Sequence, residues 1–303
     1  MEELNMLRTS MFVTEVCNLK CKLCSPCIPY NLHPHHLSVE DVAAFAKRYF
    51  EIVSHVKKFT LTGGEPFLNP SLPDIILHFE QYRSQYDVLE LVTNATIYPS
   101  EKLLAALNAS KDHINVFIDN YGSELSVNFH KICELFEKNG IPFTPRENNK
   151  EKAHCDGWVD YGDLTVARHN TQEAMEKVFA KCALPNRLNF CFVVSEGKMY
   201  PCAAYRNCVR FGSIADHYDE YIDVFDDSLT VEQQRQKIKN IYSKKSLSAC
   251  AYCDGMCEDS KRYVPAEQLT KQEMHYVLKG ARSYHEVLKM MDENNQEGGL
   301  THE

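Results

Sequence analysis

Short apolar runs and longer mixed segments alternate along the first 150 or so residues of the chain. Runs rich in β-branched, aromatic and aliphatic residues predict β-strands over residues 11–14, 58–62, 88–93, 114–119 and 142–145. The segments between them predict α-helices over residues 38–53, 73–81, 100–108 and 126–138. Strands that alternate with helices are typical of a parallel sheet covered by helices.

This alternation predicts an α/β fold with a partial TIM-like barrel. A closed barrel needs eight β/α units and the sequence shows only five or six, so we expect a partial (β/α)6 barrel. Local signals agree with the helix boundaries. Ser38 suits the N-cap of the first helix, with Asp41 in its first turn, and Gly140 and Pro142 end the last one.

The pattern changes past about residue 150. The stretch LNFCFVVSEGKMYPC predicts a β-hairpin that turns at Glu196 and Gly197, and an acidic, helix-like linker follows over residues 216–245. The cysteine-rich run CAYCDGMC and a helical tail complete the chain. We therefore expect a core domain over residues 1–180 and a small hairpin and helix domain over residues 181–303.

Composition limits the classes of function. With 44% hydrophobic and 25% charged residues, the 303-residue chain can bury a large core. No stretch approaches about 18 uninterrupted apolar residues, and no targeting segment follows Met1, so we expect a cytoplasmic protein without a membrane span. The net charge of −9 disfavours a nucleic-acid surface, which needs Lys and Arg to neutralise phosphates.

Thirteen cysteines are unusual for a protein that we expect in the cytoplasm, where thiols stay reduced, and they favour metal binding or thiol chemistry. Cys17, Cys21 and Cys24 have C-x3-C-x2-C spacing just after the first predicted strand. Loops at that end of parallel strands carry the active site of a barrel. Three thiolates can hold three corners of an iron-sulfur cubane and leave the fourth iron open, and zinc with Cys27 as a fourth ligand is the alternative.

The segment FTLTGGEP, residues 59–66, runs a predicted strand into two glycines and an acid. Glycines allow the backbone to bend and to approach a ligand closely, and exposed backbone groups with Glu65 nearby can receive an ammonium group. A tight turn without a ligand is the alternative. Together, CNLKCKLC and GGEP closely resemble the signature motifs of the radical S-adenosylmethionine (SAM) superfamily.

This resemblance implies a [4Fe-4S] cluster on the three cysteines, with an open iron that chelates the amino and carboxylate groups of SAM. The reduced cluster then yields a 5'-deoxyadenosyl radical, which takes a hydrogen atom from the substrate. An electron donor such as flavodoxin or ferredoxin is implied as a partner. Cys27 is then a spare thiol beside the cluster, because a fourth cysteine ligand would close the open iron.

The resemblance also implies which residues bind SAM. The backbone of Leu23 would contact the adenine, and the methionyl amino group would lie at Gly63, Gly64 and Glu65. Two further residues end predicted strands at the same rim and are either SAM ligands or caps of the following helices: Asn94 and Asp119.

A second set of cysteines lies in the C-terminal third. Cys182, Gly197 and Cys202 follow C-x14-G-x4-C, and Cys250 and Cys253 follow as C-x2-C. This arrangement resembles the SPASM and twitch extensions of radical SAM enzymes, where a hairpin and a downstream loop hold an auxiliary [4Fe-4S] cluster. Four ligands suit the smaller twitch form. A structural zinc ribbon needs the same four thiolates and is the alternative.

Three more thiols in this region could replace one of those ligands or donate a hydrogen atom to a substrate radical: Cys191, Cys208 and Cys257. Epimerisation would use such a thiol donor, whereas oxidation would pass an electron to the auxiliary cluster.

The leading hypothesis is a radical SAM enzyme that abstracts hydrogen from a carbohydrate-like or other polar small molecule, to epimerise, oxidise or eliminate. A peptide-modifying maturase or epimerase is the alternative, and we expect the small molecule because no leader-binding segment precedes Met11. A third hypothesis is a non-catalytic metal-binding scaffold. The motifs describe how cofactors are handled and do not name a substrate.

Overall fold

The computed structural model describes residues 3–148, 153–215 and 219–299. Five parallel strands lie side by side in chain order: β1 Asn5–Thr14, β2 His55–Gly63, β3 Tyr86–Thr93, β4 Ile114–Asn120 and β5 Phe143–Glu147. All five predicted strands are confirmed. β1 begins at Asn5, before the predicted residue 11, because the polar residues Thr9 and Ser10 interrupt the apolar pattern that the prediction used. Both are buried in the structure, where Thr9 hydrogen-bonds Tyr49 and Ser10 hydrogen-bonds Cys191.

Four helices connect these strands, as predicted: α1 Val39–Ile52, α2 Leu72–Phe79, α3 Glu101–Ala109 and α4 Phe129–Asn139. Ser38 caps α1 through a capping box with Asp41, in which each side chain accepts a hydrogen bond from the other's backbone N–H. Gly140 ends α4 with φ 64°, a left-handed conformation that glycine adopts without steric cost.

Three shorter strands extend the sheet on the other side of β1: β7 Phe192–Ser195, β8 Lys198–Tyr200 and β9 Ile222–Asp223. β7 and β8 form the predicted hairpin, with positive φ at Glu196 and Gly197. β7 pairs in parallel with β1, so the sixth parallel strand lies beside the first strand and does not follow β5. Among the described residues β5 and β9 do not pair, which confirms an α/β fold with a partial barrel.

The remaining elements are short strands and helices: β6 Trp158–Val159, β10 Arg262–Tyr263, α5 Gln172–Lys181, α6 Ala183–Asn186, α7 Ala203–Phe211, α8 Val231–Tyr242, α9 Lys271–Leu278 and α10 Tyr284–Gly299. α8 lies within the predicted acidic linker, of which residues 216–218 fall outside the described part. The domain division at residue 180 stays a prediction, since β7 to β9 share the sheet of the core. No helix in the described ranges is long and apolar enough to cross a membrane.

The core packs against the central strands. Val13, Phe59, Leu61, Leu91 and Val116 are fully buried, and rings from α1 and α2 pack onto them. Asn94 and Asp119 lie where two of the strands end. The carboxyl ends of parallel strands meet at one edge, and that edge carries the candidate site.

Candidate active site

A cavity of about 370 Å³ lies at the carboxyl edge of the parallel strands. Loops after β1 to β5 and the short strand β6 supply its walls. The sequence-predicted residues that line it are Cys17, Cys21, Leu23, Cys24, Gly63, Gly64, Asn94 and Asp119. Of the residues predicted for the SAM site, only Glu65 does not line this cavity.

The loop that carries the three cysteines is fixed by a segment from the far end of the chain. The Lys20 N–H donates to Gln268 Oε1 at 2.6 Å, and Gln268 Nε2 donates to Cys21 Sγ at 3.3 Å. Cys21 and Gln268 also form an isolated β-bridge. The C-terminal region therefore holds the cysteine loop in place, a contact that the sequence motifs did not predict.

The three thiols suit a thiolate-bound cluster. They border one cavity, and among the described residues no group of three or more His, Cys, Asp or Glu is drawn together so as to hold a metal ion. Three thiols on one loop are the donor set that a [4Fe-4S] cluster with one open iron requires. Burial raises the pKa of Cys21 to about 12 and also raises that of Cys17 and Cys24, so binding of iron must displace protons.

The two glycines allow the turn after β2 to lie against the start of the cysteine loop. A Cβ at Gly63 would lie 2.1 Å from the Thr14 carbonyl oxygen, and one at Gly64 would lie 2.2 Å from that of Val16. The Gly64 N–H donates to the Thr14 carbonyl at 2.8 Å, so this amide is used inside the protein. The glycines are thus required for contact between two backbones, in addition to any approach to a ligand.

Glu65 is fully buried and holds two strand ends together. Its carboxylate accepts hydrogen bonds from Thr93 Oγ1 at 2.8 Å, the Asn94 N–H at 2.7 Å and the Phe67 N–H at 3.0 Å. Burial raises the pKa of Glu65 to about 7 against the effect of these donors. Glu65 does not line the cavity, and its contact with the ammonium group of SAM stays a prediction.

Asn94 and Asp119 both lie at strand ends and line the cavity, as expected. Asn94 Nδ2 lies 3.8 Å from Cys17 Sγ, and Asn94 Oδ1 accepts from the Thr96 N–H at 2.9 Å. The N-cap of α3 is Ser100, so the expectation that Asn94 caps this helix is wrong, and its role as a SAM ligand stays a prediction.

Asp119 is buried in a cluster of polar side chains that sequence reasoning did not predict. Arg146 donates to both carboxylate oxygens, through Nε at 2.8 Å and Nη2 at 2.7 Å, and Asn148 Nδ2 donates at 2.8 Å. Asp119 and Arg146 are register partners on β4 and β5, which is the signal that could have linked them. The Tyr121 hydroxyl also donates to this carboxylate, at 3.3 Å, so Asp119 accepts four hydrogen bonds within the protein.

The outer wall of the cavity comes from residues 154–161. Trp158 packs edge-on against Tyr121 with ring centroids 5.9 Å apart, and Tyr161 lies beside them in the lining. Cys155, at φ 55°, is exposed and lines the same cavity. Sequence reasoning missed this thiol because no cysteine motif surrounds it.

The four cysteines predicted to hold an auxiliary cluster also meet. Cys182, Cys202, Cys250 and Cys253 line a separate, smaller cavity of about 40 Å³. Apolar side chains form most of the remaining lining. A space in a packed interior with four thiols on its walls is the donor set that an iron-sulfur cluster requires.

None of the three predicted hydrogen donors lines the cavity at the strand ends. Cys191 bonds Ser10 at 3.2 Å between β7 and β1, and Cys208 is fully buried on α7. Cys257 lies beside Gly255, next to Cys182. The structure thus does not support Cys191, Cys208 or Cys257 as hydrogen donors. Among the described residues, Cys155 is the thiol that lines the cavity in addition to Cys17, Cys21 and Cys24.

Cys27 is directed away from the cavity of the three cysteines. It has φ 54°, and its Sγ accepts a hydrogen bond from Asn207 Nδ2 on α7 at 3.4 Å. It does not line that cavity, so the structure offers no support for Cys27 as a fourth ligand and favours the iron-sulfur interpretation over zinc there.

Curated relatives match part of the chain. Two GTP 3',8-cyclases are similar: that of Helicobacter pylori, 32% identical over 135 residues, and that of Aliarcobacter butzleri, 34% identical over 150 residues. The matches cover 44% and 47% of this chain, and 39% and 44% of those enzymes. The chain thus aligns with less than half the length of these relatives.

Solved structures with similar folds include anSMEcpe with bound AdoMet (15% identity, TM-score 0.48, covering 95% of this chain and 96% of that one). BtrN in complex with AdoMet and 2-DOIA has 15% identity and a TM-score of 0.47, covering 89% and 100%. The family model of the radical SAM superfamily matches residues 11–140, which include the three cysteines, the double glycine and the ends of β1 to β4. Residues 11–140 of the chain therefore carry a radical SAM domain.

Proposed function

We propose that the chain is a radical SAM enzyme that abstracts a hydrogen atom from a polar small molecule bound in the cavity at the strand ends. The observation that carries this proposal is the convergence of the three cysteines, the double glycine, Asn94 and Asp119 on one cavity. These groups come from four different loops, and a fold that needed only stability would not have to gather them. When bound, a [4Fe-4S] cluster and SAM supply the 5'-deoxyadenosyl radical for that abstraction.

The residues of the chain divide the work of binding. Cys17, Cys21 and Cys24 would hold the cluster, and Leu23 and the turn at Gly63 and Gly64 would position SAM.

The substrate would lie against the wall of Asp119, Arg146, Asn148 and Trp158. Paired carboxylate, guanidinium and amide groups can bind hydroxyl groups, and an indole face can pack on the apolar face of a sugar ring. A volume of about 370 Å³ lies in the range of cavities that hold one small molecule. This combination supports a carbohydrate-like substrate. Peptide modification, with one residue inserted, stays the alternative.

We further propose that Cys182, Cys202, Cys250 and Cys253 hold an auxiliary cluster of the twitch type. Their shared cavity supports this set over the sets that include Cys191, Cys208 or Cys257, since none of those three thiols lines it. A reductant such as flavodoxin or ferredoxin would supply the electron that reductive cleavage of SAM requires.

The direct test is formation of 5'-deoxyadenosine by the anaerobically reconstituted, reduced protein with SAM, followed by mass spectrometry. The wild type should form it, and the variant with Cys17, Cys21 and Cys24 all changed to Ala should not. Cys133→Ala, on α4 and outside both cavities, is the matched control and should retain activity. A reduced, iron-loaded wild type that neither binds nor cleaves SAM, with sugars or peptides present, would contradict the proposal and favour a scaffold.

A further inference from the structure

The segment Ser25–Cys27, directly after the last cysteine of the cluster loop, is held by three side chains of α7. Asn207 Nδ2 donates to the Ser25 carbonyl at 2.8 Å. Arg206 Nη1 donates to the Pro26 carbonyl at 3.4 Å, and Arg210 Nη2 donates to the Cys27 carbonyl at 3.2 Å. Asn207 is 1% exposed, so water cannot easily replace its hydrogen bond if the side chain is removed.

The same helix begins at the second cysteine set. Cys202 is the N-cap of α7, and its Sγ accepts a hydrogen bond from the Tyr205 N–H at 3.4 Å. Cys202 also lines the four-cysteine cavity. A single helix of nine residues thus joins a wall of that cavity to the backbone beside Cys24.

Tyr161 forms a second connection between the two cavities. Tyr161 lines both the cavity at the strand ends and the four-cysteine cavity, and the Ser25 side chain lies near enough to its hydroxyl to oppose the rise in the Tyr161 pKa that burial causes. Its carbonyl accepts from the Asp254 N–H at 3.0 Å, one residue after Cys253. Both connections end at Ser25 on one side and at a cysteine of the second set on the other.

We propose that Asn207 and Tyr161 are positioning residues that couple the second cysteine set to the SAM-binding loop through Ser25. The inference rests on the proposed function, because it assumes that the first loop binds SAM. An organised second site fixes the start of α7 and the position of Tyr161. These two hold Ser25, and Ser25 sets the path of the backbone next to Cys24. Displacement of a reacting group by about 1 Å can cost about 100-fold in rate, so this tethering matters for the chemistry.

The test measures SAM affinity by equilibrium dialysis on anaerobically reconstituted protein with Asn207→Ala or Tyr161→Phe. Two matched controls make similar changes at the opposite end of the sheet. Gln85→Ala removes an amide that donates to the Phe50 carbonyl at 2.9 Å, and Tyr86→Phe removes a hydroxyl that donates to a carbonyl at 3.4 Å.

We expect each test variant to raise the Kd for SAM about fivefold, the worth of one hydrogen bond, and the controls to leave it within twofold. Cys250→Ala should weaken SAM binding in the wild type and have little further effect in the double variant of Asn207→Ala and Tyr161→Phe. Equal effects of Cys250→Ala in both backgrounds, or unchanged Kd values in both test variants, would overturn the coupling. If Asn207→Ala does not fold, Tyr161→Phe removes one hydroxyl only and decides the question.

Hydrogen exchange separates this inference from the proposed function. Amides in residues 22–30 should lose protection in Asn207→Ala and Tyr161→Phe but not in the controls, whether or not SAM binds. A wild type that binds no SAM would refute the proposed function, whereas unchanged exchange in this peptide would refute the coupling itself.

Discussion

Replacement of Gly64 by Ala should disrupt the SAM site through a collision between two backbones. The new Cβ would lie 2.2 Å from the Val16 carbonyl oxygen and 3.2 Å from Cys17 Cβ, whereas real Cβ contacts are not shorter than 3.0 Å. The two backbones must therefore separate by about 0.8 Å or more. That movement strains the hydrogen bond from the Glu65 N–H to the Val16 carbonyl, now 2.9 Å, and shifts the first cysteine of the loop.

The expected cost has two parts. Overpacking of a tight contact costs about 1–3 kcal/mol, and a lost backbone hydrogen bond about 1 kcal/mol, so the free energy of unfolding should fall by about 2–4 kcal/mol. The rate of reductive SAM cleavage should fall about 100-fold, since Cys17 moves with the loop.

Chemical denaturation of the iron-free protein measures the first effect, and 5'-deoxyadenosine formation measures the second. Gly140→Ala is the control, because this glycine has φ 64° but open space around its Cβ position. It should cost about 1 kcal/mol from the left-handed backbone and leave SAM cleavage unchanged. A Gly64→Ala variant as stable and active as wild type would refute the close approach of the two loops.

Three further predictions concern single side chains. Because burial raises the pKa of Glu65 to about 7, the folded state binds the proton of this carboxyl group more tightly than the unfolded state does. The resulting stabilisation is complete at low pH and is lost as the pH rises from about 4.5 to 7, by at most about 3 kcal/mol. Glu65→Gln should flatten this pH dependence of the free energy of unfolding, measured by urea denaturation of iron-free protein. Arg146→Ala should lower the free energy of unfolding by about 2–4 kcal/mol, because it leaves the buried carboxylate of Asp119 without its cation. Asp119→Asn should lower it by less, because no buried carboxylate remains. Equal losses of stability in the two variants would argue against the ion pair. If the product formed in deuterated water carries deuterium, Cys155→Ala should abolish this label and leave the iron content and the SAM affinity unchanged. Cys191→Ala should preserve the label. Loss of the label in Cys191→Ala instead would reject Cys155 as the hydrogen donor.

The cysteine and glycine motifs were predictable because each is local in the sequence. Cys17, Cys21 and Cys24 lie within eight residues on one loop, and their position after β1 places them at the strand ends. Parallel topology then brings Asn94 and Asp119 to the same edge. These contacts follow from strand order alone, which the alternation of strands and helices had indicated.

Contacts between distant segments could not be read from motifs. The position of β7 beside β1 depends on which edge of the sheet stays open, and no local pattern records it. Tyr161 and Cys155 line the cavity because residues 154–161 lie against the strand ends. The Glu65 carboxylate accepts from donors on β3 and its following turn, which only the packed structure shows.

The most direct test of the central claim compares iron, sulfide and Mössbauer spectra of the anaerobically purified wild type with those of the variant in which Cys17, Cys21 and Cys24 are all Ala. We predict two cubane clusters in the wild type and one in the variant, held by Cys182 and its three partners in the smaller cavity. Loss of all iron from a stably folded variant would contradict an auxiliary cluster. Undiminished iron would contradict the assignment of the first loop as the cluster site.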